Sequence, residues 1–347
     1  MPPNSPSADG TSTPSAEPPQ VSIVIPTYNG RYLAETIASV QAQTLTRWEL
    51  IVVDDGSTDN TPERVRALAR VDSRIRLLEQ RNGGVAAARN VGFAHTTPSA
   101  PFVLFLDHDD LLEVDALARA VALLEHRHEV AAVHGEITLI DHGGVRQNRA
   151  ELAASRRRFR YAGLRSIACL DDEPTYTAVL ISSDCIITPG QVVVRRSSLQ
   201  RDPFPARFNA YDDWLVWIDV SRTGIIWYEP TPTMRYRLHD ENQGKDTRAV
   251  FAGRRKTFAE LLRNSDLPDD LRKTAAIALV HTEGADSINK LRHVGESLVR
   301  LQWRVAGLEA GRAGMDLLRP AEGLLWFARL SAKRKPFGNQ HVAGTIS

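Results

Sequence analysis

Along the first 140 residues, continuous apolar runs alternate with segments whose apolar residues recur every three or four positions. The continuous runs are rich in β-branched residues and predict buried strands, whereas the 3.6-residue period predicts helices packed on one face. Strands are predicted at 21–28, 48–55, 74–80, 101–107 and 130–140. Helices are predicted between them, carrying the stripe Leu33, Ile37 and Val40, the stripe Val65, Leu68 and Ala69, and the segments 84–95 and 115–126. This alternation predicts an α/β fold with a doubly wound, mostly parallel sheet and flanking helices.

The pattern loosens after residue 140. Residues 141–185 show no regular period and are predicted to be irregular. Helical and strand patterns occur again after residue 190. The predicted helix among them has an apolar face made of Trp214, Trp217 and Ile218. The elements predicted there are a strand at 191–196, a helix at 211–224 and two strands at 225–230 and 233–239.

The two ends of the chain differ from its middle. Helical periods begin near residue 246 and run to about residue 312, with a polar break at 264–270. We therefore expect a helical C-terminal extension over 246–335, followed by a flexible tail over 336–347. The first 20 residues are rich in Pro, Ser and Thr and bury too little apolar surface to become ordered, so 1–20 is predicted to be a disordered tail.

Composition narrows the functional classes. The chain has 347 residues and a net charge of +1, which gives no general attraction to nucleic acid, so nucleic acid is excluded as a partner. Its two cysteines, Cys169 and Cys185, are too few for a disulfide framework and lack metal-ligand spacing. No apolar stretch approaches the roughly 20 residues that span a bilayer, and the N-terminus lacks the apolar core of a signal peptide. These features favour a reducing, cytoplasmic location.

Polar side chains that could bind a ligand or take part in catalysis follow three of the predicted strands. Ligands of doubly wound sheets bind beyond the carboxyl ends of the strands. We therefore expect the three segments to form one site. They are 26–30 (PTYNG), 54–59 (DDGSTD) and 107–110 (DHDD).

The third segment places Asp107 and Asp109 one residue apart. On an extended strand end their side chains point to the same side, where two negative charges repel unless a partner offsets them. Mg²⁺ and Mn²⁺ prefer carboxylate oxygens, so a metal site is one interpretation. The alternative is helix capping, because Asp110 and Glu113 resemble a capping box. We assign Asp110 mainly to the cap and keep Asp107 and Asp109 as metal candidates.

Two further segments carry candidate nucleotide contacts. Asp54 and Asp55 end the second strand, where they can accept hydrogen bonds from a ribose or a base; a turn with a helix cap is the alternative, and it suits the following residues better. Asn82 and Gly84 belong to a flexible turn at a helix start, which can approach a phosphate closely. Arg89 lies further along that helix and either reaches a nucleotide or is an exposed helix arginine.

Two candidates for proton transfer and metal binding lie later in the chain. Asp212 and Asp213 open an apolar helix. One of them can cap the helix, and the other can serve as a general base, because the titrations of paired acids are pushed apart. His239 follows a predicted strand, although a lone histidine is more often structural than a ligand.

Four motifs occur in a fixed order, namely SIVIPTYNG, ELIVVDDGSTDNT, NGGVAAARNVG and FLDHDDLL. Together they resemble the nucleotide-sugar-binding half of family-2 glycosyltransferases with the GT-A fold. The resemblance covers about residues 20–245 and is most specific over 20–115. It implies a GT-A domain over 21–245, with a nucleotide-binding half at 21–115 and an acceptor and catalytic half at 116–245.

The resemblance also implies roles for individual residues. Asp107 and Asp109 match the DxD motif that holds a Mn²⁺ or Mg²⁺ ion on the donor diphosphate, with His239 as the third metal residue. Asp213 matches the catalytic base. The implied donor pocket consists of Pro26, Thr27, Tyr28, Asn29, Asp54, Asp55, Asn82, Gly84, Arg89, Asp107, His108 and Asp212.

The implied reaction is an inverting transfer of sugar from a nucleotide-diphosphate donor, a UDP-sugar in the first instance, to the hydroxyl of a glycan, lipid-linked or small-molecule acceptor. Two alternatives are a degenerate transferase that only binds nucleotide-sugar or carbohydrate, and a sugar nucleotidyltransferase. The intact carboxylates argue against the first, and the lack of a glycine-rich, basic triphosphate loop argues against the second. Asp212 replaces the commoner Glu, and the missing QxxRW motif argues against a processive synthase.

The C-terminal segment 322–335 places four large apolar residues, 324–327, beside several positive charges. Such a segment can lie on a membrane surface. One interpretation is therefore peripheral contact with the inner face of a membrane, near a lipid-linked acceptor. The other, which we favour, is a helix packed on the main domain with a basic tail.

Overall fold

The computed structural model describes residues 17–147, 158–162, 165–183, 185–205, 212–240 and 247–287, excepting the side chains of residues 212 and 247. The first 16 residues of the predicted N-terminal tail lie outside these ranges, as do the segment 322–335 with its membrane hypothesis and the predicted tail 336–347. The chain divides into one compact unit, Met1–Glu283, and a second, Gly284–Ser347. The domain boundary at residue 245 stays a prediction.

Eleven strands and eight helices are present in the described residues. The strands are β1 (Val21–Thr27), β2 (Trp48–Asp54), β3 (Ile75–Glu79), β4 (Phe102–Phe105), β5 (Leu111–Leu112), β6 (Val130–Ile140), β7 (Arg146–Gln147), β8 (Phe159–Ala162), β9 (Arg165–Ala168), β10 (Val192–Arg195) and β11 (Ile225–Arg237). The helices are α1 (Leu33–Gln41), α2 (Thr61–Val71), α3 (Val85–Ala94), α4 (Ala116–His126), α5 (Thr177–Ser182), α6 (Asp212–Val220), α7 (Thr247–Arg263) and α8 (269–287).

The elements predicted for the first 140 residues are all present, and the polar break at 264–270 separates α7 from α8 as expected. Two later expectations are wrong. The segment 141–185 is not irregular throughout, since it contains the hairpin β8–β9 and the helix α5. The two strands predicted at 225–230 and 233–239 form the single strand β11, whose register shifts on both sides of Pro232. Proline has no N–H for the ladder, so a bulge absorbs it without ending the strand.

The main sheet has the strand order β3-β2-β1-β4-β10-β6-β11-β5, with β7 paired to β6. The pairs β3–β2, β2–β1, β1–β4 and β6–β11 are parallel. Strand β10 is antiparallel to both of its neighbours, so β6 regains the direction of β4. Consequently β1, β2, β3, β4, β6 and β11 all end at one edge of the sheet, and β10 begins there.

Helices cover both faces of the sheet, as expected for a doubly wound α/β fold. The apolar residues of α1, α2 and α4 pack on one face, and those of α3, α5, α6 and α7 pack on the other. The predicted apolar face of α6 is confirmed, since Trp214, Trp217 and Ile218 are all buried. No helix in the described part of the chain is long and apolar enough to cross a membrane.

Candidate active site

The loop after β1 forms one wall of the site. Thr27 is buried at the end of the strand, and Tyr28 beside it is 46% exposed. Asn29 adopts a left-handed backbone conformation with φ of 50°, which asparagine tolerates better than most residues. Its Oδ1 accepts a hydrogen bond of 2.9 Å from the backbone N–H of Thr58, which ties this loop to the turn after β2. Pro26 lies buried within β1.

Asp55 organises the loop that precedes α3. Its Oδ1 accepts hydrogen bonds from the Gln80 side-chain amide and the Gly83 N–H, and its Oδ2 accepts one from the Gly84 N–H, each at 2.8 Å. Gly84 has φ of 88°, a conformation suited to glycine, and starts α3. The carboxylate thus fixes the turn that carries Asn82, and the sequence-predicted members Asp55, Asn82 and Gly84 lie together.

Two buried polar atoms beside this loop lack partners among the described residues. They are the hydroxyl of Thr27 and Oδ1 of Asp54, whose other oxygen accepts a hydrogen bond of 3.0 Å from the Ser57 N–H. Thr27 and Asp54 are register partners at the ends of β1 and β2. Because buried polar groups are nearly always hydrogen-bonded, this position is suited to a polar ligand or to water.

Asp107 is held from two sides. Arg89 of α3 is 5% exposed, and its Nη2 lies 2.7 Å from Asp107 Oδ1. The hydroxyl of Thr188 lies 3.1 Å from Asp107 Oδ2. The guanidinium of Arg89 also lies over the ring of Phe204, 5.1 Å from its centroid. Arg89 is therefore not an exposed helix arginine, and it joins α3 to the carboxylate after β4.

Asp109 pairs with the histidine that follows β11. His239 Nε2 lies 2.6 Å from Asp109 Oδ2. Burial opposes ionisation of Asp109, but the hydrogen bond from His239 and the charge of His108 hold the pKa of this carboxyl below its ordinary value. The pairing brings together two of the three residues expected at the metal. His108 contributes its carbonyl, which accepts a hydrogen bond of 2.8 Å from the Thr36 hydroxyl.

The assignment of Asp110 to a helix cap is wrong. Helix α4 begins at Ala116 with Asp115 at the capping position, and β5 lies between Asp110 and that helix. Asp110 is buried, and its Oδ1 accepts a hydrogen bond of 3.0 Å from the backbone N–H of Arg237 in β11. Burial, followed by the negative charges of Asp109 and Asp107, raises the pKa of Asp110 well above its ordinary value.

The segment 107–110 is also not an extended strand end. Strand β4 ends at Phe105, and the Asp110 N–H donates to the Asp107 carbonyl at 3.3 Å, closing a turn. A turn separates the surroundings of the carboxylates, which explains why Asp107 and Asp109 have different partners.

Asp213 lies at the start of α6, on the sheet face covered by α3 and α5. Its Oδ1 accepts a hydrogen bond of 3.0 Å from the Trp214 N–H. The Trp214 indole N–H donates to the Leu180 carbonyl at 2.7 Å, which anchors the start of α6 to α5. Asp212 is the first residue of α6, but its side chain lies outside the described atoms.

Three residues around the site received no role from the sequence, namely Arg237 at the end of β11, Glu35 of α1 and Thr188. Arg237 is fully buried; its Nε donates to the Asp109 carbonyl at 3.0 Å, and its Nη2 lies 2.7 Å from Oε2 of Glu35 in α1. The third is Thr188, which precedes β10. A buried arginine at a strand end is a usable sequence signal, whereas Thr188 lies in a segment without any recognisable motif.

The side chains of Asp107, Asp109 and His239 suit a divalent cation. Carboxylate oxygens of Asp107 and Asp109 and the imidazole of His239 are ligands that Mn²⁺ accepts, and Mg²⁺ accepts the carboxylates. No cluster of three or more His, Cys, Asp or Glu able to enclose a metal occurs among the described residues. Such ions often bind through one or two carboxylates plus substrate phosphates, so an open site of this kind fits the group.

Sequence comparison identifies the class to which this fold and site belong. Residues 22–199 match the sequence profile of the family described as Glycosyl transferase family 2. The chain is 35% identical over 208 residues to UDP-Glc:alpha-D-GlcNAc-diphosphoundecaprenol beta-1,3-glucosyltransferase WfgD of Escherichia coli, over 59% of this chain and 71% of that protein. It is 40% identical over 95 residues to glycosyltransferase GlyG of Streptococcus pneumoniae, a match that spans only 27% of this chain and 31% of that protein.

Solved structures with the same fold include two that contain a bound nucleotide-sugar. One is S. aureus TarS 1-349 in complex with UDP-GlcNAc, at a TM-score of 0.58 and 20% identity over 77% of this chain and 73% of that chain. The other is mannosyltransferase PcManGT from Pyrobaculum calidifontis in complex with GDP-Man and Mn²⁺, at a TM-score of 0.58 and 21% identity over 92% and 82%. At these identities the likeness establishes the fold.

The chain belongs to glycosyl transferase family 2. It has the GT-A fold and is a sugar transferase. The predicted family, fold class and enzyme class are thereby confirmed.

Proposed function

We propose that the protein is an inverting, metal-dependent glycosyltransferase that moves a sugar from a UDP-sugar to the hydroxyl of a lipid-linked glycan. The observation that carries this proposal is the meeting of Arg89 with Asp107 and of His239 with Asp109 at one edge of the sheet. This arrangement joins acidic and basic groups suited to a metal diphosphate, next to the loops suited to a nucleoside.

In this proposal the nucleoside lies between the loop after β1 and the turn after β2. Tyr28 offers an exposed ring for stacking, while Thr27 and Asp54 offer the buried polar atoms without partners. Asp55 fixes the turn that carries Asn82 and Gly84, and in this proposal that turn lies beside the donor. We propose the same residues for the donor pocket as the family resemblance implies, including Pro26, Asn29, Arg89, His108 and Asp212.

Asp107, Asp109 and His239 would hold the Mn²⁺ or Mg²⁺ ion. When bound, the ion supplies Lewis-acid neutralisation of the charge that develops on the leaving nucleoside diphosphate. Arg89 holds the carboxylate of Asp107 in one orientation through its ion pair. Support for the ion also comes from PcManGT, which has this fold and contains Mn²⁺ with GDP-Man.

Asp213 would act as the general base. Its carboxylate takes the proton of the acceptor hydroxyl as that oxygen bonds to the anomeric carbon. The bond between the anomeric carbon and the diphosphate oxygen breaks in the same step, and its electron pair leaves with the diphosphate. Attack opposite to the leaving group inverts the anomeric configuration through an oxocarbenium-like transition state.

The donor and acceptor classes come from the named relatives. The name of the E. coli relative specifies UDP-Glc as donor and a diphosphoundecaprenol-linked GlcNAc as acceptor. A lipid-linked acceptor places the reaction at a membrane surface, so the hypothesis that the segment 322–335 contacts a membrane is retained as a proposal. A free glycan or a small-molecule acceptor is the alternative.

The test replaces Asp213 by Asn, which keeps the shape of the side chain and removes the base. We expect turnover of UDP-sugar with a polyprenyl-diphosphate-GlcNAc acceptor and Mn²⁺ to fall by about a hundredfold or more. UDP affinity, measured by titration calorimetry, should stay within about twofold, since Asp213 acts only on the acceptor. Asp219→Asn is the matched control, because it removes the same charge from the exposed side of the same helix.

The control should transfer sugar like the wild type. Turnover by Asp213→Asn at the wild-type rate would show that Asp213 is not the base. Loss of UDP affinity in that variant would instead place Asp213 in the donor pocket.

A further inference from the structure

The hydroxyl of Thr188 occupies an unusual position between two acidic side chains. It lies 3.1 Å from Oδ2 of Asp107 and 3.4 Å from Oδ2 of Asp110. Thr188 is 81 residues away from Asp107 in sequence and is itself buried, at 2% exposure. A hydroxyl placed in this way, without solvent around it, restricts the orientation of the carboxylate that it contacts.

Thr188 is fixed by its own segment. It is the capping residue of a short 3-10 turn, Pro189–Gln191, and forms a capping box with Gln191. The side-chain oxygen of Gln191 accepts a hydrogen bond of 2.6 Å from the Ile187 N–H, and its amide donates to the Gly135 carbonyl at 2.9 Å in β6. The hydroxyl therefore projects from a segment tied to the centre of the sheet.

Asp110 provides the second anchor. Its other oxygen accepts the backbone N–H of Arg237, so the turn 107–110 is attached to β11 on one side and to Thr188 on the other. The result is that both oxygens of Asp107 have a side-chain partner from a different element. Arg89 of α3 contacts Oδ1, and Thr188 contacts Oδ2.

We propose that Thr188 is a positioning residue that orients the Asp107 carboxylate toward the metal diphosphate of the donor, with Asp110 holding the hydroxyl in place. This inference rests on the proposed function, because it assumes that Asp107 binds the metal-bound diphosphate. Each carboxylate oxygen keeps a lone pair after accepting one hydrogen bond, so the contact leaves Asp107 able to bind a cation. A rotated Asp107 would present its oxygens in the wrong direction without loss of the fold.

The proposal makes a specific claim about UDP binding. Thr188 should matter for the part of UDP affinity that depends on Mn²⁺, and it should not matter for the part that does not. A residue with a purely structural role would alter both parts together. The two parts are separated by measuring UDP affinity by titration calorimetry with and without Mn²⁺.

The test compares Thr188→Val, which keeps the shape but removes the hydroxyl, with Thr188→Ser, which keeps the hydroxyl. We expect Thr188→Val to weaken UDP binding at least fivefold in Mn²⁺ and less than twofold without it. Thr188→Ser should bind UDP within about twofold of the wild type in both conditions. If the valine variant does not fold, as judged by circular dichroism, Thr188→Ala takes its place with the same expectations.

A double-mutant cycle links the effect to Asp107. In an Asp107→Asn background, Thr188→Val should cause no further loss of Mn²⁺-dependent UDP affinity. Wild-type affinity of Thr188→Val in Mn²⁺, or equal losses with and without Mn²⁺, would overturn the proposal. Wild-type protein whose UDP affinity does not respond to Mn²⁺ would overturn the proposed metal dependence, and this inference with it.

Discussion

At the scale of single residues, the carboxylates of the candidate site are held by different kinds of partner. Asp55 accepts three N–H donors from the chain around residues 80–84, whereas Asp107 is held by Arg89 and Thr188. Hydrogen bonds to a charged group are the stronger ones, so both carboxylates are oriented before a ligand arrives. Donor affinity should accordingly separate into a metal-independent part through Asp55 and a metal-dependent part through Asp107.

Asp55→Ala tests the metal-independent part. The change leaves the N–H groups of Gly83 and Gly84 without their acceptor, so the turn before α3 should lose its fixed shape. We expect UDP affinity to fall about tenfold or more, equally with and without Mn²⁺, by titration calorimetry. Asp59→Ala is the control from the same segment, because its carboxylate is largely exposed and accepts mainly from Thr61. Unchanged UDP affinity in Asp55→Ala would remove Asp55 from the donor pocket.

Single residues also show where prediction from sequence stops. The pattern of carboxylates after strands predicted that Asp55, Asp107 and Asp109 lie at one edge of the sheet, and the structure places them there. The pattern misassigned Asp110, because Glu113 three positions later matches a capping box and nothing local shows that β5 intervenes. Thr188 was missed because its partners are 78 and 81 residues away, and a hydroxyl carries no local signal of a distant acceptor.

At the scale of elements, periodicity predicted well wherever one element buries a whole face. The strands and helices of the first 140 residues meet this condition. It failed for α5, which has only six residues, and for β8 and β9, which have four each. A six-residue helix does not complete two turns. Strands β8 and β9 are partly or fully exposed, so they lack the continuous apolar run that identifies the equally short β4 and β10.

Helix α3 illustrates an element whose placement depends on one residue. A Cβ on Gly92 would lie 2.3 Å from Cγ1 of Val24 and 2.9 Å from Cγ2 of Val53, both in central strands. β-Branched side chains in a packed sheet have little freedom to move aside. The glycine thus allows α3 to lie close to β1 and β2, which places Arg89 at the edge where Asp107 follows β4.

We predict that Gly92→Ala destabilises the protein by about 1–3 kcal/mol, because overpacking outweighs the higher helix propensity of alanine. The measurement is urea unfolding, in which the midpoint should fall while the slope stays constant. Gly143→Ala in an exposed turn is the control, since a Cβ there meets only the Asp141 side chain at 3.4 Å. A Gly92→Ala midpoint equal to that of the wild type would show that α3 can move away from the sheet at little cost.

At the scale of the whole molecule, strand direction determines where chemistry can occur. Six strands end at one edge, and the segments predicted from sequence as 26–30, 54–59 and 107–110 follow three of them. The antiparallel insertion of β10 was not predictable from local pattern, because a four-residue apolar strand reads the same in either direction. Its effect is to bring the segment before β10, with Thr188, to the same edge.

Strand β6 also contains a buried ionisable group. His134 in β6 is 1% exposed, and its Nε2 lies 2.7 Å from the Thr175 hydroxyl. Burial, and after it the positive charge of Arg158, lowers the pKa of His134 to about 3. The unfolded chain has an ordinary histidine there, with a pKa of about 6.5. Between these two values the unfolded state binds more protons than the folded state, so stability falls as the pH falls through this window.

This linkage predicts a contribution of His134 to acid sensitivity. Lowering the pH from 7.5 to 5 should cost the wild type about 2 kcal/mol of unfolding free energy through this one group. His134→Gln retains a hydrogen-bonding side chain but does not titrate. Its unfolding free energy should therefore fall by about 2 kcal/mol less than that of the wild type between pH 7.5 and 5. Urea unfolding at both pH values measures the difference, and the absolute stability of the variant does not enter the comparison. His126→Gln, at an exposed position in α4, should follow the wild type. Equal losses of stability in His134→Gln and the wild type between pH 7.5 and 5 would contradict this prediction. They would mean that His134 is protonated inside the fold and donates hydrogen bonds from both ring nitrogens.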